Sequence, residues 1–176
     1  FALNEPWRFF VRDALQARNR YRSTVAALDD GPIADRLRDM GRQIDAGVEE
    51  SWRVARRGQA IADARRTIKR DKVIRQIEEI EREDVDPSTD RRLESLESQL
   101  ASSDHLGEVL DDAERRLKIL DTRLEDSVTR AIAVSARLGD DRALSTVEDD
   151  MTLLVDELEA LREALDDTEG PTLGPG

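Results

Sequence analysis

The chain has 176 residues, 38% apolar and 39% charged, with 28 basic against 40 acidic side chains and a formal net charge of −12. Aromatic residues make up 3% and cysteine is absent, which excludes disulfides and thiolate-bound metal and leaves little bulk for an ordinary globular core. Abundant Leu, Ala, Glu, Asp and Arg, with Leu, Ile and Val at regular spacing, point to long helices rather than disorder.

The first helix is expected over 4–29, where Trp7, Phe10, Ala14, Ala17, Tyr21, Thr24 and Leu28 fall at alternating steps of three and four. Asp29-Asp30-Gly31-Pro32 ends it and starts the next, with Pro at a first helical position. The second segment, 33–83, carries Ile33, Leu37, Met40, Ile44, Gly47, Ser51, Val54, Gly58 and Ile61, then Ile68, Val73, Ile77 and Ile80. Its stripe loses phase near Arg65, so a break within 67–71 is expected. Gly47, Ser51 and Gly58 interrupt the stripe where neighbouring helices would crowd it.

Asp84-Val85-Asp86-Pro87-Ser88-Thr89-Asp90 joins a proline to several candidate N-caps. The third segment, 88–138, runs through Leu93, Leu96, Leu100, Leu106, Leu110, Ala113, Leu117, Leu120, Leu124, Val128, Ala131, Ser135 and Leu138. Gly139 and Asp140-Asp141 supply a stop and a start. The fourth helix, 141–167, has the cleanest stripe: Leu144, Val147, Met151, Leu154, Leu158, Leu161 and Leu165. No strand-type alternation competes, and the fold class is all-α.

Segments 33–83 and 88–138 match in length, at ~75 Å for 1.5 Å per residue, and so do 4–29 and 141–167, at ~40 Å. The expected architecture is an antiparallel four-helix bundle with two long helices extending as a coiled-coil hairpin. Residues 1–58 and 113–169 form the bundle, 59–112 the projecting antiparallel hairpin with Pro87 at its tip, and 170–176 a flexible tail. Across that hairpin Arg75 is expected near Leu96 and Glu97, Arg65 near Leu106 and Glu108, and Arg57 near Glu114.

Chemistry has little to stand on. The single histidine, His105, lies in Ser102-Ser103-Asp104-His105, without the Glu-x-x-His of a bundle di-metal site. No zinc-protease, phosphate-loop, nucleophile-elbow or dinucleotide motif occurs. Carboxylate pairs such as Glu49-Glu50, Asp111-Asp112 and Asp149-Asp150 are what 40 acidic residues produce by chance. No catalytic residue, cofactor, metal or small-molecule substrate is expected, and the chain is read as a non-enzyme.

Two surfaces stand out. The first joins aromatic residues to arginines at the start of the chain, with Trp7, Arg8, Phe9 and Arg12 as candidate membrane or partner contacts. The preferred reading puts Trp7, Phe10 and Tyr21 in the core; Phe9, off the stripe, fits it worst. The second is the basic run Arg53, Arg56, Arg57, Arg65, Arg66, Lys69, Arg70, Lys72 and Arg75, with Arg66, Lys69, Arg70 and Lys72 as candidate arm contacts. Residues 1–75 hold 17 basic and 11 acidic side chains, and the remainder is strongly acidic. Pairing between the halves is preferred to nucleic-acid binding, since only Trp52 offers a stacking surface within the run.

The long-hairpin plan behind an amphipathic basic start resembles phage-shock and related membrane-remodelling proteins. No motif matches residue by residue, so no site is carried over. The expected function is a scaffold or adaptor mediating protein–protein interaction through a coiled-coil arm, with a protein partner or a homo-oligomer. The alternatives are a membrane-anchored or membrane-surface protein acting on an anionic lipid face, and a regulator of a transcription protein or nucleic acid. No stretch approaches the roughly 18–20 apolar residues of a membrane span. A cytoplasmic location, free or at the inner face of the membrane, is the expectation. Phe1 in place of Met suggests a processed chain or fragment, and an arginine excess over three lysines suggests bacterial coding.

Overall fold

The computed structural model describes residues 2–82, 86–136 and 141–168. The expected stop at 138–140, part of the turn at 84–85 and the tail from 170 lie outside the described residues. Those residues form five helices and no strand: α1 (Trp7–Ala26), α2 (Pro32–Thr67), α3 (Arg70–Ile80), α4 (Pro87–Ser135) and α5 (Asp141–Asp166). The fold is all-α.

Helix α1 buries Trp7, Phe10, Val11, Ala14, Ala17, Tyr21 and Val25. Its last turn tightens, with the Ala27 and Leu28 amides bonding to the Thr24 and Val25 carbonyls, and Val25 rather than Thr24 takes the core position. The Tyr21 hydroxyl donates to the Leu37 carbonyl of α2 at 2.8 Å. That bond satisfies a phenol whose pKa burial pushes upward.

Helix α2 begins with Pro32 at its first turn, where a missing amide hydrogen costs nothing. It ends at Thr67, whose hydroxyl bonds back to the Ala64 carbonyl at 2.6 Å and so competes with the helical ladder. Ile68 and Lys69 leave helical geometry and α3 resumes at Arg70. Uninterrupted three-four spacing from Ile61 would bring Arg65, Lys72, Arg75 and Glu79 onto the stripe. The break resets it, and α3 buries Val73 and Ile80 instead. The 33–83 segment is therefore two helices.

Helix α4 is capped by Asp86, whose carboxylate accepts the Ser88 amide at 2.6 Å and the Thr89 amide at 2.9 Å. Bonds from the Ser88 hydroxyl and these amides hold the Asp86 carboxyl at about 2.

Helices α2 and α4 pack on each other, and α1 and α5 each pack on both of them without touching one another. Opposite numbering runs through the α1–α2 contact, where the Asn4 amide meets Gln59 at 2.9 Å and Arg22 meets Asp45 at 2.7 Å. Numbering runs the same way between α2 and α5, where Arg36 meets Glu148 and Gln43 meets Thr152. These two helices lie parallel because each is antiparallel to α4. All four contribute to one continuous core, from Trp7 and Tyr21 through Ile44, Val54, Leu117 and Val128 to Leu154 and Leu161. Helix α3 packs on α4 alone.

Of the pairings expected across the long segments, Arg65 does reach α4: its Nε donates to the Ser103 carbonyl at 2.9 Å. Its guanidinium also lies where a side-chain carbon on Gly107 would be, 2.8 Å away. Arg57 turns to α5 rather than to Glu114. It donates to the carbonyls of Leu165 at 3.0 Å and Asp166 at 3.2 Å, because a helix C-terminus leaves carbonyls unpaired and attracts a cation. The crowding expected at the α2 glycines is real at Gly58 only: an added Cβ would lie 2.5–2.7 Å from three Trp7 ring atoms. At Gly47 the nearest atoms, on Leu154 and Val155, are 3.7 Å away.

Leu158 is 1% exposed; Leu158→Ala should cost about 2–5 kcal/mol, read as a lower midpoint in thermal unfolding. The glycines give a comparison of opposite sign. Gly41→Ala meets Tyr21 at an ordinary 3.5 Å and should stabilise by about 0.5–1 kcal/mol. Gly58→Ala makes the same gain in helix propensity but overpacks the Trp7 seat at about 1–3 kcal/mol, so its melting midpoint should fall.

Candidate interaction surfaces

The structure divides the N-terminal candidate residues. Trp7 is buried against Gly58 and forms part of the core. Arg8 is exposed and paired with Glu5 at 2.8 Å. Phe9 is 42% exposed, meets Phe10 edge-on, and carries the Arg12 guanidinium 5.1 Å from its ring centre. Arg12 also lies 3.5 Å from Asp13. What reaches solvent is one aromatic ring with its cation, about 0.5–1 kcal/mol of local interaction.

Most of the basic run is engaged by its own chain. Arg53 bonds Glu49 and Glu50, Arg66 bonds Asp63, and Arg70 reaches Asp104 of α4 at 3.1 Å. Lys69 sits at the break and Lys72 is exposed on α3. Arg65, Arg66 and Arg70 line an open groove of about 270 Å³ beside the break, with Ala62, Ile68 and Leu110. The four arm candidates thus cluster where α2 gives way to α3.

Sequence spacing did not reveal two further charge arrangements. Glu50 is buried on α2 and accepts Arg162 Nε of α5 at 3.1 Å, while Arg162 also pairs with Asp166 at 2.8 Å. Desolvation offsets most of the attraction in a charge pair at this depth, but removing either partner leaves the other buried and unpaired. On the α1-facing side of α4, Asp121 lies half-buried near Asp13 and Glu125, and Arg20 is bound to Glu125 at 2.8 Å. Its position beside the stripe residue Leu120 was the available signal.

Helix α4 carries leucines on both sides of the gap between Leu100 and Leu106 but does not have the same cover along its length. Leu106, Leu117, Leu120 and Leu124 are buried, whereas Leu93, Leu96 and Leu100, opposite α3, remain partly exposed. Ile74 and Ile77 of α3 are partly exposed as well. Of the large apolar side chains that are exposed, Ile119 and Leu153 stand singly, as is normal for a protein surface. His105 is exposed and shares a shallow groove with Glu108, Asp112 and Arg116. Among the described residues no group of three or more His, Asp or Glu side chains is placed to hold a metal ion. Nor is any helix there long and apolar enough to cross a membrane.

Burial, with Asp13 and Glu125 adding repulsion, raises the Asp121 carboxyl from 3.8 to about 7. Between those values the folded chain keeps a proton that the unfolded chain has released, so stability falls as pH rises from about 4 to 7 and levels off on either side. A shift of that size corresponds to at most about 4 kcal/mol, which solvent at the half-exposed carboxyl reduces to about 1–2 kcal/mol. Asp121→Asn should therefore raise the midpoint by roughly 3–6 °C at pH 8, with the difference vanishing near pH 4. Thermal melts of both proteins across that range check it.

Comparison with family models, with curated proteins and with solved structures found no match to this chain.

Proposed function

We propose that the chain is a non-enzymatic scaffold or adaptor in which a four-helix bundle, about residues 1–58 with 113–169, carries a projecting two-helix coiled-coil arm, about 59–112, that binds a protein partner. The observation that carries this reading is the uneven cover of α4, whose leucine stripe is buried beneath α1, α2 and α5 and only half covered by α3. Apolar side chains arranged to be covered, on a segment with one neighbour, suit an interaction surface. The ends of the arm support its independence. Arg65 and Ser103 are in contact inside it, where α2 ends, so a short turn can join α2 to α4 there without straining the remaining helices.

A second reading, attachment to an anionic membrane surface, has Phe9 with Arg8 and Arg12 in its favour. The burial of Trp7 and the net charge of −12 weigh against it. Nucleic-acid binding is weaker still, since Arg53, Arg66 and Arg70 are already paired with acidic residues. Sedimentation with anionic vesicles, comparing Phe9→Ala with the parent, tests the membrane reading: no lipid-dependent pelleting removes it.

For the arm, a variant in which a Gly/Ser turn replaces residues 68–102 should unfold in one cooperative transition and lose the bound partner in a pull-down. Small-angle scattering from the parent should give a radius of gyration clearly above the ~16 Å of a compact chain of this length, and the variant should approach the compact value. Loss of cooperative unfolding in the variant, or a compact parent, would overturn the proposal.

A further inference from the structure

We infer that the half-covered stripe of the α3–α4 arm is closed by the same arm of a second copy of this chain, running antiparallel to it. This rests on the reading of that segment as an interaction arm and names its partner. Two helices cover each other's stripes from one side only, and here Ile74, Ile77, Leu93, Leu96 and Leu100 are left partly exposed together. A second identical hairpin supplies apolar side chains of the same spacing and converts the pair into four helices around a closed seam.

Charge distinguishes the two directions in which a second copy can lie with its α3 beside this α3 and its α4 beside this α4. From the break into α3, Lys69, Arg70, Lys72 and Arg75 stand against Asp71 alone, whereas towards the tip Glu78, Glu79 and Glu81 outnumber Arg82. Helix α4 has Arg91 and Arg92 near the tip, with Asp86 and Asp90. From Glu94 through Glu97, Asp104, Glu108, Asp111 and Asp112 it is uniformly acidic apart from His105. Each helix therefore changes its charge balance along its length. An antiparallel copy sets the acidic tip of α3 against the basic base of the other α3, and Arg91 and Arg92 against the acidic base of the other α4. A two-fold axis across the arms makes every such contact occur twice. A parallel copy with α3 beside α3 would oppose like charges along the whole length. The antiparallel arrangement also places the two bundles at opposite ends of the paired arms, so that they do not crowd one another.

Sedimentation equilibrium on the full chain should return twice the 19.9 kDa chain mass. Leu96→Glu should abolish the dimer, while Leu153→Glu, at an exposed apolar residue of α5, should leave it intact. Because Leu96→Glu can also loosen the arm itself, a second variant keeps the apolar stripe: Glu78→Lys with Glu79→Lys and Glu81→Lys should weaken dimerisation at least tenfold. Orientation is read from nitroxides on Arg82→Cys, the chain having no cysteine of its own. They should lie more than ~20 Å apart in the antiparallel dimer, given 1.5 Å per residue along the arm; parallel helices at about 10 Å spacing would bring them close together. A monomeric parent, or a dimer with adjacent labels, overturns this inference. If a monomeric parent captures a different protein and loses it on arm replacement, the interaction-arm reading stands and the second copy falls. If arm replacement changes neither mass nor capture, the arm reading itself fails.

Discussion

An amphipathic helix is dry only where it has enough neighbours, and the shape of this molecule follows from that count. With 3% aromatic residues the core cannot be filled from a few bulky side chains. It is built from Leu, Ile, Val and Ala in stripes one or two residues wide, closed by packing three or four helices around them. Helices α2 and α4 are the only ones in contact with each of the other three helices of the core. Helix α2 accordingly buries a wider band, with Val48, Ala55 and Gln59 added to the regular series. Helix α5, with two neighbours, buries a single line of seven.

Ion pairs arrange these helices more than they hold them. Arg36 joins Asp141 and Glu148, Arg123 joins Glu157, and Arg130 joins Asp150, all between helices and all partly exposed. Each such pair is worth about 0–1 kcal/mol, small beside the burial of one leucine. Their alignment still selects register. Arg36 with Glu148 and Arg162 with Glu50 lie near opposite ends of the α2–α5 contact, so a one-turn slip would part both.

The all-α fold and the α5 stripe, residue for residue, could be read from spacing alone, because an unbroken three-four repeat of aliphatic side chains on a polar background admits one helical phase. Boundaries at Pro32 and Asp86 were legible for the same local reasons. Three features were not. Val25 rather than Thr24 faces the core because a 3.6-residue helix drifts from a strict heptad. The partner of Arg57 is a helix end, and free carbonyls leave no mark in side-chain sequence. The contact between α2 and α5 depends on which side of α4 the last helix enters, a choice that the flanking loops do not encode. Of the candidate contacts, Phe9 was visible as a departure from the stripe and Arg66, Lys69, Arg70 and Lys72 as part of a basic run, whereas the exposure of Leu93, Leu96 and Leu100 depended on how many helices reach that far.

The break at Ile68 and Lys69 uncouples the helical phase of α3 from that of α2. A continuous helix transmits rotational phase, so one residue gained or lost anywhere along it turns every later side chain by about 100°. Two non-helical residues between α2 and α3 interrupt that transmission, and the Arg65 contact with Ser103 and Gly107 pins the adjoining turn of α4. Matched heptads can then be added or removed beyond the break without disturbing the side chains around Trp7 or Leu158. The length of the distal segment is in this sense adjustable in whole heptads, which the unbroken α4 requires, while the core keeps its packing.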